Sequence, residues 1–171
     1  MTRWYPLKAA AGDAVGTAAT RHLHVVELAA PPAAVWSALT APDTLVSWSP
    51  LITGVEWRTP RPFGVGTTRV VTLGPGLVSL RERFYRWEEG KRMTFSVEAA
   101  TRPLFTTFGE DLRLDETLAG TRLTWTFAYS GVPALHQALK LGAPLTGRLL
   151  GGIAQGIRKV VEPSMRKGVA R

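Results

Sequence analysis

Between Leu51 and Ser130 the apolar residues of this chain recur at every second position, broken at short intervals by turn-forming residues. A period of two sorts a strand into two faces, whereas a helix repeats about every 3.6 residues. Strands are therefore expected at 51–58, 67–73, 77–87, 92–99, 106–115 and 121–130, separated by RPFGVG, GPG, EEGK, TRP and ETLAG. Turns this short join antiparallel neighbours, because parallel strands need a long crossover. The segment reads as an antiparallel meander.

Treating each turn as a four-residue loop sets the register. The GPG turn places Leu73 against Val78, Val71 against Leu80, Arg69 against Glu82 and Thr67 against Phe84. EEGK places Phe84 against Phe95, Glu82 against Val97 and Leu80 against Ala99. A loop at 117–120 places Leu114 against Leu123, Leu112 against Trp125 and Glu110 against Phe127. All three agree on one inner layer: Val71, Leu73, Leu80, Phe84, Met93, Phe95, Val97, Phe108, Leu112, Leu114, Leu123, Trp125, Phe127 and Tyr129. The opposite layer holds Thr68, Thr72, Arg81, Arg83, Thr94, Ser96, Glu98, Asp111, Arg113, Arg122, Thr124 and Thr126, as expected of a sheet wet on one side.

Three charged residues fall on the apolar side: Arg69, Glu82 and Glu110. A bare inward charge costs several kcal/mol, so such groups must be paired or reach water. The register sets Arg69 opposite Glu82. An ion pair inside an aromatic layer marks that layer as the lining of a partly hydrated cavity rather than a dry core.

Helical patterns flank the meander. A β-rich run at 22–30 leads into PPAAVWSAL (31–39), with two prolines suited to a helix start, and then into a short helix within 41–48, ended before Pro50. After Pro133 a helical pattern runs for about thirty residues, with a kink or break expected at Gly142–Pro144. Its apolar stripe is read as Leu135, Leu139, Leu145, Leu149, Ile153, Ile157 and Val160. Gly147, Gly151, Gly152 and Gly156 are costly in a helix and suggest close approach to another backbone or vacated volume. The fold class is α+β, a curved antiparallel sheet covered on its apolar face by the terminal helix. The expected layout is one domain at 21–165, a loose arm at 1–20 and a basic tail at 166–171. In the arm, Trp4 and Tyr5 are placed to pin onto the domain, with disorder through Thr20 the alternative reading.

Composition removes several function classes. There is no cysteine, which excludes disulfides and thiolate chemistry and fits a cytoplasmic location. No apolar run reaches the ~18 residues of a membrane span. About half of the formal net charge of +8 sits in the arm and tail, so no polyanion track is indicated. In LRERFYRWEEGKR (80–92), parity sends Leu80, Glu82 and Phe84 inward and Arg81, Arg83 and Tyr85 outward, with Trp87 capping the strand. Too few aromatics share the basic face to stack nucleic-acid bases. His22, His24 and His136 lack metal-site spacing, no serine has a nucleophile-elbow context, and no phosphate-binding glycine loop follows a strand.

HVVELAAPPAAVWSALTAPDTLVSWSPLI resembles the opening of the START-like, or SRPBCC, superfamily, especially its polyketide cyclase/dehydratase and lipid-transport branch. The steps that carry the resemblance are Ala30-Pro31, Val35-Trp36 and Trp48-Ser49-Pro50, supported by GVGTTRVV (64–71), the Glu-x-Phe of RERFYRW and GTRLTWTF (120–127). It covers roughly residues 22–162 and implies a helix-grip fold with a deep apolar cavity between sheet and terminal helix. The iron-ligating groups of the superfamily's oxygenases have no counterpart here, so no metal or other cofactor is implied.

The resulting expectation is a protein that binds a small hydrophobic ligand, lipid-like or polyketide-like. Trp48, Phe84, Phe95, Trp125, Phe127 and Leu139 would form apolar wall, Arg69, Glu82 and Glu110 the polar anchor, and His136 the cavity mouth. Arg69 is the first contact for a ligand carboxylate or carbonyl. A cyclase/dehydratase-type enzyme moving protons with Glu82 or Glu110, and a co-chaperone or regulatory module using the outer sheet face, are the alternatives. Nucleic acid is not an expected partner. A homodimer is compatible with the sequence, and membrane involvement would be limited to transient surface contact by the basic C-terminus.

Overall fold

The computed structural model describes residues 2–8 and 14–162. One antiparallel sheet is built from β1 (Tyr5–Pro6), β2 (Thr20–Leu28), β3 (Ile52–Trp57), β4 (Thr68–Leu73), β5 (Val78–Glu88), β6 (Arg92–Ala100), β7 (Phe105–Thr117) and β8 (Gly120–Gly131). Its order is β2-β8-β7-β6-β5-β4-β3, with β1 beside β6. Every step from β3 to β8 is thus a hairpin. A single long connection carries the chain from β2 to β3 at the opposite edge, through α2 (Pro32–Thr40) and α3 (Thr44–Trp48). Proline at the start of α2 removes an N–H that has no helical partner there. After β8 come a single 3-10 turn (Pro133–Leu135), α4 (His136–Leu141), α5 (Ala143–Gly156) and α6 (Arg158–Val161). Ile153, Ala154 and Ile157 of this helical arm join Phe84, Phe95, Trp125 and Phe127 of the sheet in the largest core cluster. This is the expected α+β helix-grip arrangement. No helix among the described residues is long and apolar enough to cross a membrane.

The register follows parity except at two places, both between β5 and β6. Leu73 faces Val78, Val71 faces Leu80 and Arg69 faces Glu82, and the β7–β8 pairs also fall as expected. Between β5 and β6 the turn is tighter than the assumed loop, since Glu88 pairs with Arg92 around a three-residue turn with Gly90 at φ 71°. A bulge between Phe84 and Arg86 restores the frame, so Phe84 still faces Phe95. The same bulge turns Trp87 inward, against Trp36 and Phe84 at ring separations of 5.3 and 5.1 Å, instead of leaving it as a strand cap. A second irregularity between Arg81 and Glu82 moves Leu80 from Ala99 to Ala100.

The expected inner layer is buried throughout, except that Leu73 is partly buried. Thr94 and Ser96, expected on the wet face, are buried as well. The short helix α1 (Ala14–Thr17) packs over β7 and β8 on that side. β6 and β7 pair only along Arg92–Ser96, and β1 takes the place beside β6 where the two strands part. The backbone N–H of Leu7 donates to Glu98 and that of Lys8 to Thr106, both at 2.8 Å. Within residues 2–8, Tyr5 pairs with Ala100 and the Trp4 ring lies against Arg81, so the two aromatic residues of the arm rest on the sheet. The basic tail at 166–171 lies outside the described residues.

The helical arm departs from the expected stripe. It breaks at Gly142 as predicted, and again at Ile157. Leu145 and Leu149 are exposed, at 63% and 52%, while Leu150 is partly buried against the core and Ile153, Ala154 and Ile157 are buried. Residues four apart advance by about 40° around a helix, so Leu145 and Ile157 lie roughly 120° apart and cannot share one buried face. Of the four glycines only Gly156 stands against another backbone, at Trp48 O, together with the Trp48 ring; a side chain at Gly147 or Gly151 would instead meet the His22 or His24 ring. Gly152 faces open space.

Two outcomes follow. Ile153→Ala should cost about 2–4 kcal/mol, against within about 0.5 kcal/mol for Leu149→Ala, measured by urea unfolding. The His22 and His24 rings sit between β2 and α5, and burial holds both below the ordinary imidazole range, with repulsion from His22 adding at His24. Tyr129 (3.3 Å from His22), Lys140 and Arg148 are the other ionisable groups lining this contact. Depressed values mean stability that is complete above pH ~6.5 and is lost as pH falls through the folded values. The thermal midpoint should therefore drop more between pH 7 and 5 for the native chain than for a His22→Gln/His24→Gln variant.

Candidate functional site

Antiparallel pairing of β4 with β5 puts Arg69 and Glu82 side by side on the apolar face. Both are buried, and Arg69 Nε donates to Glu82 Oε2 at 2.6 Å. The guanidinium carbon lies 5.2, 5.1 and 4.9 Å from the ring centroids of Trp57, Phe84 and Phe95, so aromatic faces surround the cation. One sheet residue supplies the charge and its neighbours the shell, a direct result of period-two patterning.

Glu110 reaches the same region from β7, opposite Phe127 and Phe95. It is buried, and its Oε2 accepts from Trp125 Nε1 at 2.7 Å. Burial disfavours its ionised form, and the nearby Glu82 charge adds to that. Trp125 and Arg69 act in the opposite direction, and the net effect pushes the carboxyl up to about 8. Burial also raises Glu82, opposed by the charge and hydrogen bond of Arg69. A neutral carboxyl beside an ion pair can donate a hydrogen bond or release a proton near neutral pH.

These groups line a cavity of about 50 Å³ together with Leu45, Leu51, Ile52, Val71, Leu73, Leu80, Phe108, Trp125, Phe127, Leu150 and Ile153. That is room for a few waters, well short of the ~300 Å³ of a small-molecule site. A larger recess of about 640 Å³ lies on the opposite, outer face, open to solvent and lined by Arg21, Arg86, Arg92 and Asp111 among others. It shares no residue with the inner site.

Of the ten residues singled out from the sequence, Arg69, Glu82, Glu110, Trp125 and Phe127 come together around this cavity. Phe84 and Phe95 stand behind it, packed on each other and on Arg69. Trp48 is a buried core residue beneath Gly156 and is not part of the cavity lining. His136 is exposed on α4, and Leu139 is partly buried against a second cluster containing Phe108 and Tyr129, so neither lines this cavity. Val71, Leu73, Leu80 and Phe108 do line it, and their inward parity was the signal that could have added them. Leu45, Leu51 and Leu150 carried no such signal.

The comparisons agree with this architecture. The family described as polyketide cyclase / dehydrase and lipid transport matches residues 20–171. An uncharacterized protein of Mycobacterium tuberculosis is 32% identical over 158 residues, covering 92% of this chain and 94% of that protein. Among solved structures, a Thermus thermophilus protein superposes with a TM-score of 0.70 at 18% identity, over 85% of this chain and 99% of the other. A START superfamily protein of Mycobacterium smegmatis gives 0.69 at 16% identity, over 84% and 97%. The chain belongs to the polyketide cyclase/dehydrase and lipid transport family.

Proposed function

We propose that the protein binds a small hydrophobic ligand, lipid-like or polyketide-like, between the sheet and the helical arm, with Arg69, Glu82 and Glu110 as its polar contacts. The observation that carries this reading is a buried ion pair and a buried carboxyl within an otherwise apolar, aromatic layer. Replacing such a pair by well-packed apolar residues is often neutral or stabilising, so folding alone gives little reason to keep it. Ligand entry requires the cavity to widen from about 50 Å³. The helical arm is the element suited to move, being interrupted at Gly142 and at Ile157.

Native mass spectrometry of freshly purified protein, beside a denatured extract, tests the reading. A co-purifying small molecule or binding of a fluorescent fatty-acid probe is expected, and neither being found overturns it. Changing Arg69 alone leaves Glu82 bare and costs about 3–5 kcal/mol. The paired variant Arg69→Met/Glu82→Met removes both charges together. It should fold with near-native stability and lose ligand retention at least tenfold.

A second reading is favoured by one observation, the elevated Glu110 carboxyl. A cyclase- or dehydratase-type reaction would use Glu110 as proton donor, with Glu82 as the companion carboxylate. Turnover of the bound molecule, seen as loss of one water by mass and abolished in Glu110→Gln, would establish it.

Glu110 also sets a pH dependence of folding. A folded value of about 8 lies above the unfolded one, so stability is fully present in acid and is lost as pH rises through about 8. Across pH 5 to 9 the native chain should lose on the order of a few kcal/mol relative to Glu110→Gln, which cannot ionise. Equal pH profiles in urea unfolding would contradict this.

A further inference from the structure

The ionisable groups lining the cavity restrict what can occupy it. They are Arg69, Glu82 and Glu110: one cation and two carboxyls. Arg69 already donates to Glu82 at 2.6 Å, and its guanidinium carbon lies over the rings of Trp57, Phe84 and Phe95. An entering carboxylate would meet two carboxyls and a cation that is already neutralised. Glu82 occupies the Nε of Arg69, so a carboxylate on the remaining guanidinium N–H groups would set a second anion beside Glu82 and leave the buried site with an uncompensated negative charge.

A ligand ammonium fares no better. Glu82 is taken by Arg69, and Glu110 is held neutral near pH 7 by burial and the Glu82 charge. A hydroxyl, ketone or ester oxygen meets none of these penalties. With Oε2 accepting from Trp125, the other oxygen of a neutral Glu110 bears the proton and can donate it to a ligand oxygen. The charge balance of the site is then unchanged.

We infer that the site selects an uncharged apolar ligand bearing a hydroxyl or carbonyl oxygen, and rejects the free carboxylic acid and the amine of the same chain length. This deepens the ligand-binding reading above and rests on it. It narrows the role expected of Arg69 from the sequence: paired with Glu82, the residue offers the ligand a polar contact that adds no net charge to the pocket, rather than capturing a ligand carboxylate.

The test is titration calorimetry of the native chain at pH 7 with 1-decanol, decanoic acid and decylamine. Decanol should bind at least tenfold more tightly than decanoate or decylammonium. Equal or tighter binding of decanoate, or of decylammonium, overturns the inference while leaving a ligand-binding cavity in place. Binding of none of the three overturns the ligand-binding reading and the inference together. Glu82→Gln releases Arg69 and should bring decanoate at least to parity with decanol, and undiminished rejection of decanoate in that variant also overturns the inference. The native series decides the matter even where the variant fails to fold.

Discussion

Arg69 and Glu82 face each other across two strands inside an aromatic layer, and much of the structure is arranged around keeping them together. Either charge alone would be expensive in that setting, so the β4–β5 register must hold. A slip by one residue between the two strands would carry one member of the pair to the wet face and leave the other charge bare in the aromatic layer. The bulge next to Phe84 has the same consequence on the other side of β5, because it keeps Phe84 opposite Phe95 despite a shortened turn. Both rings can then pack on the guanidinium.

The rest of the fold closes around this site from two directions. The helical arm supplies Leu150 and Ile153 as one wall, and α3 with the start of β3 supplies Leu45, Leu51 and Ile52 as another. The approach is close because glycines stand where the His22, His24 and Trp48 rings press against the arm. β1 pairs with β6 where β6 and β7 separate, and α1 covers β7 and β8 on the outer side. The site is consequently compact, with two interruptions in the element that covers it.

Legibility differed sharply between sheet and helix. Parity needs only the count of residues between turns, and an error of one at the EEGK turn was cancelled by the bulge at Tyr85. The helical stripe failed for a geometric reason: the row Leu145, Leu149, Ile153, Ile157 winds around the helix, whereas Leu150, Ile153, Ala154 and Ile157 stay on one side. His136 and Leu139 belong to α4, ahead of the break at Gly142, and Leu139 packs near Gly131.

The sequence by itself determined the meander, its inner and outer layers, and the confrontation of Arg69 with Glu82, since all three depend on local spacing along the chain. Only the tertiary structure decided that Trp125 reaches Glu110, that the exposed leucines of α5 turn away from the sheet, and that the N-terminal segment fills the split beside β6. Those outcomes depend on how distant elements rotate and slide against one another to satisfy buried polar groups and pack apolar ones, which no local period encodes.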